Sequence, residues 1–294
     1  MLVSMKEILD RASKENYAVA APNVTTEMDS RAAIEAAEEL NAPLILNVVR
    51  SSIPDLVFLG GYLTNLCKLS KVPIAINLDH GSKYEHAIEA IRGGFTSVMV
   101  DRSMLPYGEN VAQVKEIVKI AHAVGVSVEA ELGHVGQGSD LHDDDVSLLT
   151  DPKQAKKFIE DTGIDCLAVA IGTAHGAYNK TPKIHFDLLA EIKKETGNFP
   201  LVLHGSSGTG AENIRKACSM GINKVNVANE LMQAACIEIT SADLSGNGAY
   251  DLWFLAKSGY KNKLISLIDL YGSKNKSWIP ECQGIKTADY LFRE

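Results

Sequence analysis

The sequence predicts a single (β/α)8 barrel, an α/β fold, with a C-terminal helical extension. Short apolar segments bounded by glycines and polar residues alternate eight times with helical patterns, and such alternation indicates a parallel sheet. The 294 residues fit one barrel of about 250 residues with additions better than two unrelated domains. No GxGxxG motif follows the first strand, so an open dinucleotide-binding sheet is disfavoured.

The elements follow one another in a regular order. The predicted strands are residues 17–24, 42–49, 72–79, 96–101, 126–132, 165–172, 199–205 and 223–228. A helical pattern follows each strand, with Pro152 in the first turn of one helix and Gly125 at the end of another. The start of the chain is an amphipathic, capped helix rather than a signal peptide. Residues 1–294 therefore form one domain, and residues from about 241 to 294 form the helical extension or arm.

Composition limits the class of protein. The chain is 46% hydrophobic and 22% charged, which is ordinary for a globular protein. A net charge of −8 disfavours nucleic-acid binding and gives no reason to expect attraction to an anionic membrane. No apolar run approaches the roughly 18 residues that a membrane span needs. Five cysteines without a CxxC pair predict reduced thiols and a cytoplasmic location.

Three of the eight histidines lie at or just beyond the ends of predicted strands. They are His80 in IAINLDHGS, His175 in CLAVAIGTAHG and His204 in PLVLHGSSG. In a barrel of parallel strands, all carboxyl ends lie on one rim, so these imidazoles can converge. Three histidines that leave a fourth position open are typical of a catalytic Zn²⁺ site. Each histidine taken singly is more simply explained as an ordinary polar residue.

Several carboxylates accompany these histidines. Asp79 precedes His80 and can serve as an acid–base group or orient a metal ligand; the alternative is a helix cap or loop carboxylate. Glu129 and Glu131 are two apart and point to the same side of one strand, where they need a polar surrounding or a cationic partner. Asp101 adds a carboxylate at the end of the fourth strand.

The last two strand-to-helix loops carry the pattern of a phosphate site. Gly205-Ser206-Ser207-Gly208 follows the seventh strand, and residues 226–229 follow the eighth. Glycines let backbone N–H groups approach an anion, and these two loops of a barrel commonly bind phosphate. A tight turn is the alternative explanation. The loop at 133–147 is glycine-rich and acidic, which suits either a lid or a solvated surface loop.

The segments LDHGS, SVMVD, SVEAELG, IGTAHGAY, LVLHGSSG and KVNVANE resemble the class II, zinc-dependent ketose-bisphosphate aldolases of the fructose- and tagatose-bisphosphate type, in the same order and spacing over residues 2–276. The resemblance implies reversible aldol cleavage of a phosphorylated ketose to dihydroxyacetone phosphate and an aldehyde. It also implies zinc, in some members a Na⁺ or K⁺ ion near the phosphate, and a homodimer or homotetramer.

The resemblance assigns roles to individual residues. His80, His175 and His204 would bind zinc, with Glu131 as an alternative ligand. Asp79 would be the acid–base group for the C4 oxygen, and by position Asp140 would be the lid carboxylate. The residues expected to bind the dihydroxyacetone phosphate portion are Gly176, Gly205, Ser207, Asn226 and Asn229.

Several positions depart from the family pattern. Ser139 stands where a lid glutamate is usual, and Asn229 replaces a threonine. Arg50 and Arg102 follow the second and fourth strands, where small or acidic residues are more usual. One hypothesis is that an arginine binds the aldehyde end of an unusual substrate; the alternative is pairing with a loop acid. A binding protein without activity and a zinc-dependent barrel hydrolase also remain open.

Overall fold

A computed structural model describes residues 1–138, 148–176, 178 and 181–279 of the chain. The helices of the described residues alternate with strands in the predicted order. They are α1 (Met5–Glu15), α2 (Glu27–Glu39), α3 (Leu56–Leu69), α4 (Tyr84–Arg92), α5 (Tyr107–Ala123), α6 (Pro152–Thr162), α7 (Phe186–Thr196), α8 (Ala211–Ser219), α9 (Asn229–Ser241) and α10 (Leu252–Tyr271).

The strands form one parallel sheet that closes into a barrel. They are β1 (Val19–Pro22), β2 (Leu44–Val49), β3 (Ile74–Gly81), β4 (Ser97–Val100), β5 (Ser127–Leu132), β6 (Cys166–Val169), β7 (Leu201–Leu203) and β8 (Ile222–Val227). β8 pairs with both β7 and β1. A parallel bridge between Asn23 and Asn47 joins the other side of β1 to β2, where Val24 N–H donates to Asn47 O at 2.9 Å. The predicted (β/α)8 barrel is confirmed.

Helix α1 covers the N-terminal end of the barrel. Ser4 Oγ caps it by accepting from Glu7 N–H, and the apolar face packs Ile8 and Leu9 against inward-facing residues of the strands. Lys6 N–H donates to Ser127 Oγ at the start of β5, 3.0 Å away. One end of the barrel is thereby filled with apolar side chains, so the open end is the one where the strands terminate.

Some strands are shorter than the sequence predicts. β6 ends at Val169, whereas the apolar run continues to Gly172. The cause is local, because Ala170 N–H donates to Thr150 Oγ1 at 2.8 Å instead of continuing the ladder. Gly172 has a φ of 102°, which residues other than glycine rarely adopt. The chain changes direction there as it enters the loop at the open end of the barrel.

Helix α10 supplies the predicted C-terminal helix. It runs antiparallel to α9, as the contact between its second half and the start of α9 shows: Lys263 Nζ lies 3.0 Å from Glu230 Oε2. Tyr260 Oη donates to Asn23 O at the rim, and Tyr271 O accepts from Ala18 N–H at the opposite end of β1. Residues 280–294 lie outside the described residues. None of the helices in the described ranges has the length and apolarity of a membrane span.

Candidate metal centre and active site

The structure brings His80, His175 and His204 together at the open end of the barrel. Their ring centroids are 4.6 Å apart for His80 and His175, 4.8 Å for His80 and His204, and 5.6 Å for His175 and His204. One nitrogen of each ring lies within 4.8 Å of the other two, which is compatible with a shared metal ion. The sequence predicted this convergence from strand position alone.

Two carboxylates orient two of these rings. His80 Nδ1 lies 2.8 Å from Asp101 Oδ2, and His204 Nε2 lies 2.8 Å from Glu129 Oε1. If each of these nitrogens donates its proton, the other nitrogen of each ring is free to bind a cation. Those free atoms, His80 Nε2 and His204 Nδ1, are 3.0 Å apart.

The electrostatic environments of the histidines differ. Burial lowers the pKa of His80, but the charge of Asp79 and the hydrogen bond to Asp101 outweigh it and raise that pKa to about 9. Burial and the neighbouring His204 and His80 lower the pKa of His175 to about 3. The Nε2 atom of His175 is buried without a hydrogen-bond partner. A buried polar atom of this kind is costly unless a ligand satisfies it.

This donor set fits Zn²⁺. Three imidazoles leave coordination positions for substrate, and nitrogen is a preferred zinc donor. His80, Asp101 and Glu131 form a second overlapping group of potential ligand atoms. Glu131 Oε1 accepts from Val135 N–H at 2.8 Å, whereas its Oε2 is buried without a partner. Glu131 can therefore offer one oxygen beside the histidines.

An unusual backbone conformation lets Asp79 and His80 share the site. Neighbouring residues of a regular strand point to opposite faces. His80 has a φ of 49°, in the left-handed region that non-glycine residues rarely adopt, and the register of β3 with β4 shifts between Leu78 and Gly81. As a result, Asp79 Oδ1 lies 3.9 Å from His80 Nε2. Such strain is concentrated at functional sites in proteins.

The residues predicted to bind substrate line one cavity. Its volume is about 150 Å³, and Asp79 and His175 lie in its wall. The same wall contains all five predicted substrate residues, Gly176, Gly205, Ser207, Asn226 and Asn229. Asn226 Nδ2 donates to Asp79 Oδ1 at 3.1 Å, so the metal group and the glycine-rich loops adjoin.

Tyr178 fastens the loop after β6 to the loop after β7. Its Oη lies 2.7 Å from both Ala174 O and Gly205 O, and it accepts from Ala174 N–H at 2.6 Å. The loops are in tight contact, since a Cβ on Gly205 would lie 2.1 Å from Ala174 O. His175 directly follows Ala174 and His204 directly precedes Gly205, so these contacts help to set the separation of the two histidines.

Sequence reasoning missed several contributors. Asn23 lines the cavity, Tyr178 fastens its loops, and Lys224 pairs with Glu129 inside the barrel. The available signal for the Lys224–Glu129 pair was a charged residue, Lys224, inside a predicted strand. The predicted lid carboxylate Asp140 lies outside the described residues.

The two unusual arginines both have protein partners. Arg50 Nε lies 3.2 Å from Glu89 Oε2, and Arg50 Nη1 donates to Ile53 O. Arg102 Nη1 donates to Gly81 O at 3.0 Å and to Asp101 O at 2.7 Å. Arg50 therefore pairs with an acid, although this acid lies on α4 rather than in a loop, and Arg102 donates to backbone carbonyls. The hypothesis that one of the two arginines binds the aldehyde end of the substrate stays a prediction.

The fold and the site define a metal-binding barrel enzyme whose catalytic end carries three histidines. Comparison with known proteins identifies the family. The model of a family described as "Fructose-bisphosphate aldolase class-II" matches residues 3–276 of this chain. The chain belongs to this family. It is therefore an aldolase, a lyase that cleaves a carbon–carbon bond of a phosphorylated ketose, and the family is metal-dependent.

Individual relatives agree with this assignment. A Bacillus subtilis protein named "Probable fructose-bisphosphate aldolase" is 39% identical over 289 residues, covering 94% of this chain and 99% of the relative. A Geobacillus stearothermophilus fructose-bisphosphate aldolase is 44% identical over 237 residues, covering 78% and 81%. The crystal structure of the YdjI aldolase from Escherichia coli is 31% identical with a TM-score of 0.84, covering 95% of this chain and all of that one.

Proposed function

We propose that this enzyme reversibly cleaves a ketose bisphosphate to dihydroxyacetone phosphate and an aldehyde, with zinc held by His80, His175 and His204. The observation that carries the proposal is that the histidine cluster lies next to the glycine-lined cavity. A zinc ion bound there would supply Lewis-acid polarisation of the substrate ketone. Glu131, with its unpartnered buried oxygen, is the proposed alternative ligand.

Asp79 is the proposed acid–base group for the C4 hydroxyl of the substrate. Its side chain is buried in the cavity wall, next to both the histidines and the glycine-rich loops. The hydrogen bond from Asn226 Nδ2 fixes Oδ1, which leaves Oδ2 for a substrate proton. Asp140 remains the proposed lid carboxylate that moves the proton at the carbon left after cleavage.

The phosphate of the dihydroxyacetone portion is proposed to bind at the loops after β7 and β8. Gly205, Ser207 and Asn229 offer backbone or side-chain donors there, with Gly176 and Asn226 completing the wall. A monovalent cation beside the phosphate is proposed as well. The support for it is the resemblance to the family, some of whose members hold such an ion near the phosphate.

A panel of ketose mono- and bisphosphates tests the reaction. Fructose 1,6-bisphosphate comes first because the relatives carry that name. Release of dihydroxyacetone phosphate is measured, and Asp79→Asn is the matched variant that preserves shape. General acid–base catalysis contributes typically 10²–10⁴-fold, so a loss of that order with zinc content unchanged is expected.

Two outcomes would contradict the proposal. Zinc binding without release of dihydroxyacetone phosphate from any ketose would favour a binding protein, and release of inorganic phosphate alone would favour a hydrolase. Near-normal cleavage by Asp79→Asn would remove Asp79 from the chemistry while leaving the enzyme class intact.

The protein is proposed to act in the cytoplasm as a homodimer or homotetramer. The α9–α10 hairpin contacts the open end of the barrel, where Tyr260 Oη donates to Asn23 O. Its far end exposes Ile237, Trp253 and Phe254 at 64%, 68% and 73%. Apolar side chains exposed together in this way are typical of an interface, and a second copy of the chain is the proposed partner.

The oligomer is tested by light scattering after size-exclusion chromatography. The double variant Trp253→Ser, Phe254→Ser is expected to shift the mass toward that of a monomer. Phe58→Ser is the control, because Phe58 is 78% exposed but lies on α3, away from the hairpin. A monomeric wild type, or an unchanged mass in the double variant, would refute the proposed interface.

A further inference from the structure

A buried chain of charged groups leads from the inside of the barrel to one histidine of the site. Lys224 Nζ lies 2.7 Å from Glu129 Oε2, and Glu129 Oε1 lies 2.8 Å from His204 Nε2. All three side chains are 0% exposed. Lys224 is on β8 and Glu129 on β5, which are not neighbours in the sheet, so the pair spans the barrel interior.

We propose that Lys224 is a positioning residue of the metal centre, which acts through Glu129 to hold His204 with Nδ1 facing His80 and His175. The inference rests on the proposed zinc site, with His204 as one of its ligands. Lys224 is too deep in the barrel to contact substrate itself, because Glu129 lies between it and the histidine.

The direction of the hydrogen bonds gives the reason. An ammonium group only donates, so Glu129 Oε2 must accept from Lys224. The carboxylate is thereby an acceptor, and it accepts from His204 Nε2–H through its other oxygen. The proton of the neutral imidazole is then on Nε2, and the Nδ1 lone pair faces the site.

The surroundings of His204 show which way Nδ1 faces. His204 Nδ1 lies 3.0 Å from His80 Nε2, on the side of the histidine cluster. Asn226 Nδ2 is nearly equidistant from the two ring nitrogens, at 3.3 Å from Nδ1 and 3.4 Å from Nε2, and it donates to Asp79 Oδ1, so the contact that decides the tautomer is the one with Glu129. Ligand histidines are usually held by a carboxylate of this kind, and loss of such a group typically weakens metal binding 10–100-fold.

The other oriented histidine shows why a lysine is needed here. Asp101, which accepts from His80, is partly exposed and is also bonded by Ser103 N–H and Oγ–H. Glu129 has no exposure and, among the residues that the structure describes, no backbone N–H donates to it. Within the same residues, the partners of its Oε2 are Lys224 and, 3.9 Å away, Cys166 Sγ. A buried carboxylate without a cation is strongly destabilised, so Lys224 makes a carboxylate possible at this position.

The experiment measures zinc affinity of the full-length protein by competition with a chromophoric chelator. Lys224→Met keeps the length and apolar stem of the side chain, and it is expected to weaken zinc binding 10–100-fold. The Nε2 proton of His204, observed by NMR on histidine labelled with nitrogen-15, is expected to lose its hydrogen-bonded shift. Lys257→Met is the matched control, because Lys257 pairs with Glu35 on the surface and should leave both readouts unchanged.

A double-mutant cycle tests the route through Glu129. In the Glu129→Gln background, Lys224→Met should weaken zinc binding no further, because the positioning contact is already broken. If Lys224→Met does not fold, Glu129→Asp replaces it. This variant keeps the charge beside Lys224 but withdraws the carboxylate from His204, and weaker zinc binding is again expected.

Wild-type zinc affinity in folded Lys224→Met, or in Glu129→Asp when the first variant does not fold, overturns the inference. Further weakening in the Glu129→Gln background would show a route that bypasses Glu129 and overturns it too. His204→Ala separates this failure from that of the metal site. If His204→Ala retains zinc at wild-type affinity, the proposed ligand set is wrong; if it loses zinc while Lys224→Met does not, only the positioning role fails.

Discussion

Replacement of His175 by leucine should separate metal binding from stability. His175 Nε2 is buried without a partner, and its pKa is lowered to about 3, so the ring is neutral at pH 7. The change to leucine therefore removes no charge and relieves one unsatisfied polar group. Leaving such a group buried costs about 1–3 kcal/mol. The metal-free variant is expected to be at least as stable as the wild type, with a gain of up to about 3 kcal/mol.

Zinc should reverse the order of stability. A ligand present at 1,000 times its dissociation constant stabilises the folded protein by about 4 kcal/mol. The wild type should show an increase of this size, whereas His175→Leu should show almost none at the same free zinc. The backbone should tolerate the change, because its contacts are made by His175 N–H and O with Gly136 and Gly138 rather than by the ring.

Urea unfolding with a chelator and with buffered zinc measures both effects. His122→Leu is the control, since its ring lies 2.8 Å from Asp165 Oδ2, away from the histidine cluster. It should lower the unfolding free energy in both conditions and leave the zinc increment intact. The reasoning is refuted if metal-free His175→Leu is clearly less stable than the wild type, or if zinc stabilises it as much.

Two further predictions concern phosphate and pH. Ser207→Ala removes one hydrogen-bond donor to an anion, and such a bond is worth about 1.5–3 kcal/mol. Calorimetry should therefore find that the variant retains zinc but binds dihydroxyacetone phosphate at least about tenfold more weakly. An unchanged dissociation constant would mean that the loop after β7 is only a turn. Burial lowers the pKa of Lys193 to about 8 in the folded protein, below the 10.5 of the unfolded chain. Between these two pKa values the unfolded chain binds more protons than the folded protein, so the free energy of unfolding rises with pH. Between pH 7 and pH 10 the unfolding free energy of the wild type should rise by about 1–2 kcal/mol more than that of Lys193→Met, after allowance for partial solvent screening. Parallel pH profiles of unfolding for the two proteins would contradict this.

The sequence alone determined the fold and much of the candidate site. Strand and helix periodicities are local properties, so eight repeats predicted the barrel. The position of His80, His175 and His204 at or just beyond the ends of predicted strands predicted their meeting on one rim. The glycine-rich pattern likewise predicted the loops that line the cavity. These inferences succeeded because, in a closed parallel barrel, residues at equivalent positions along the strands lie at the same level of the barrel axis.

Tertiary structure decided which groups pair and how they point. The left-handed backbone at His80, which places Asp79 in the same site, depends on the register shift between β3 and β4. The pairing of Glu129 with Lys224 joins residues 95 positions apart across the barrel, and no periodicity predicts it. The pairing of Arg50 with Glu89 likewise joins two segments that are distant in the sequence. Such pairings depend on long-range packing, to which a local pattern is insensitive.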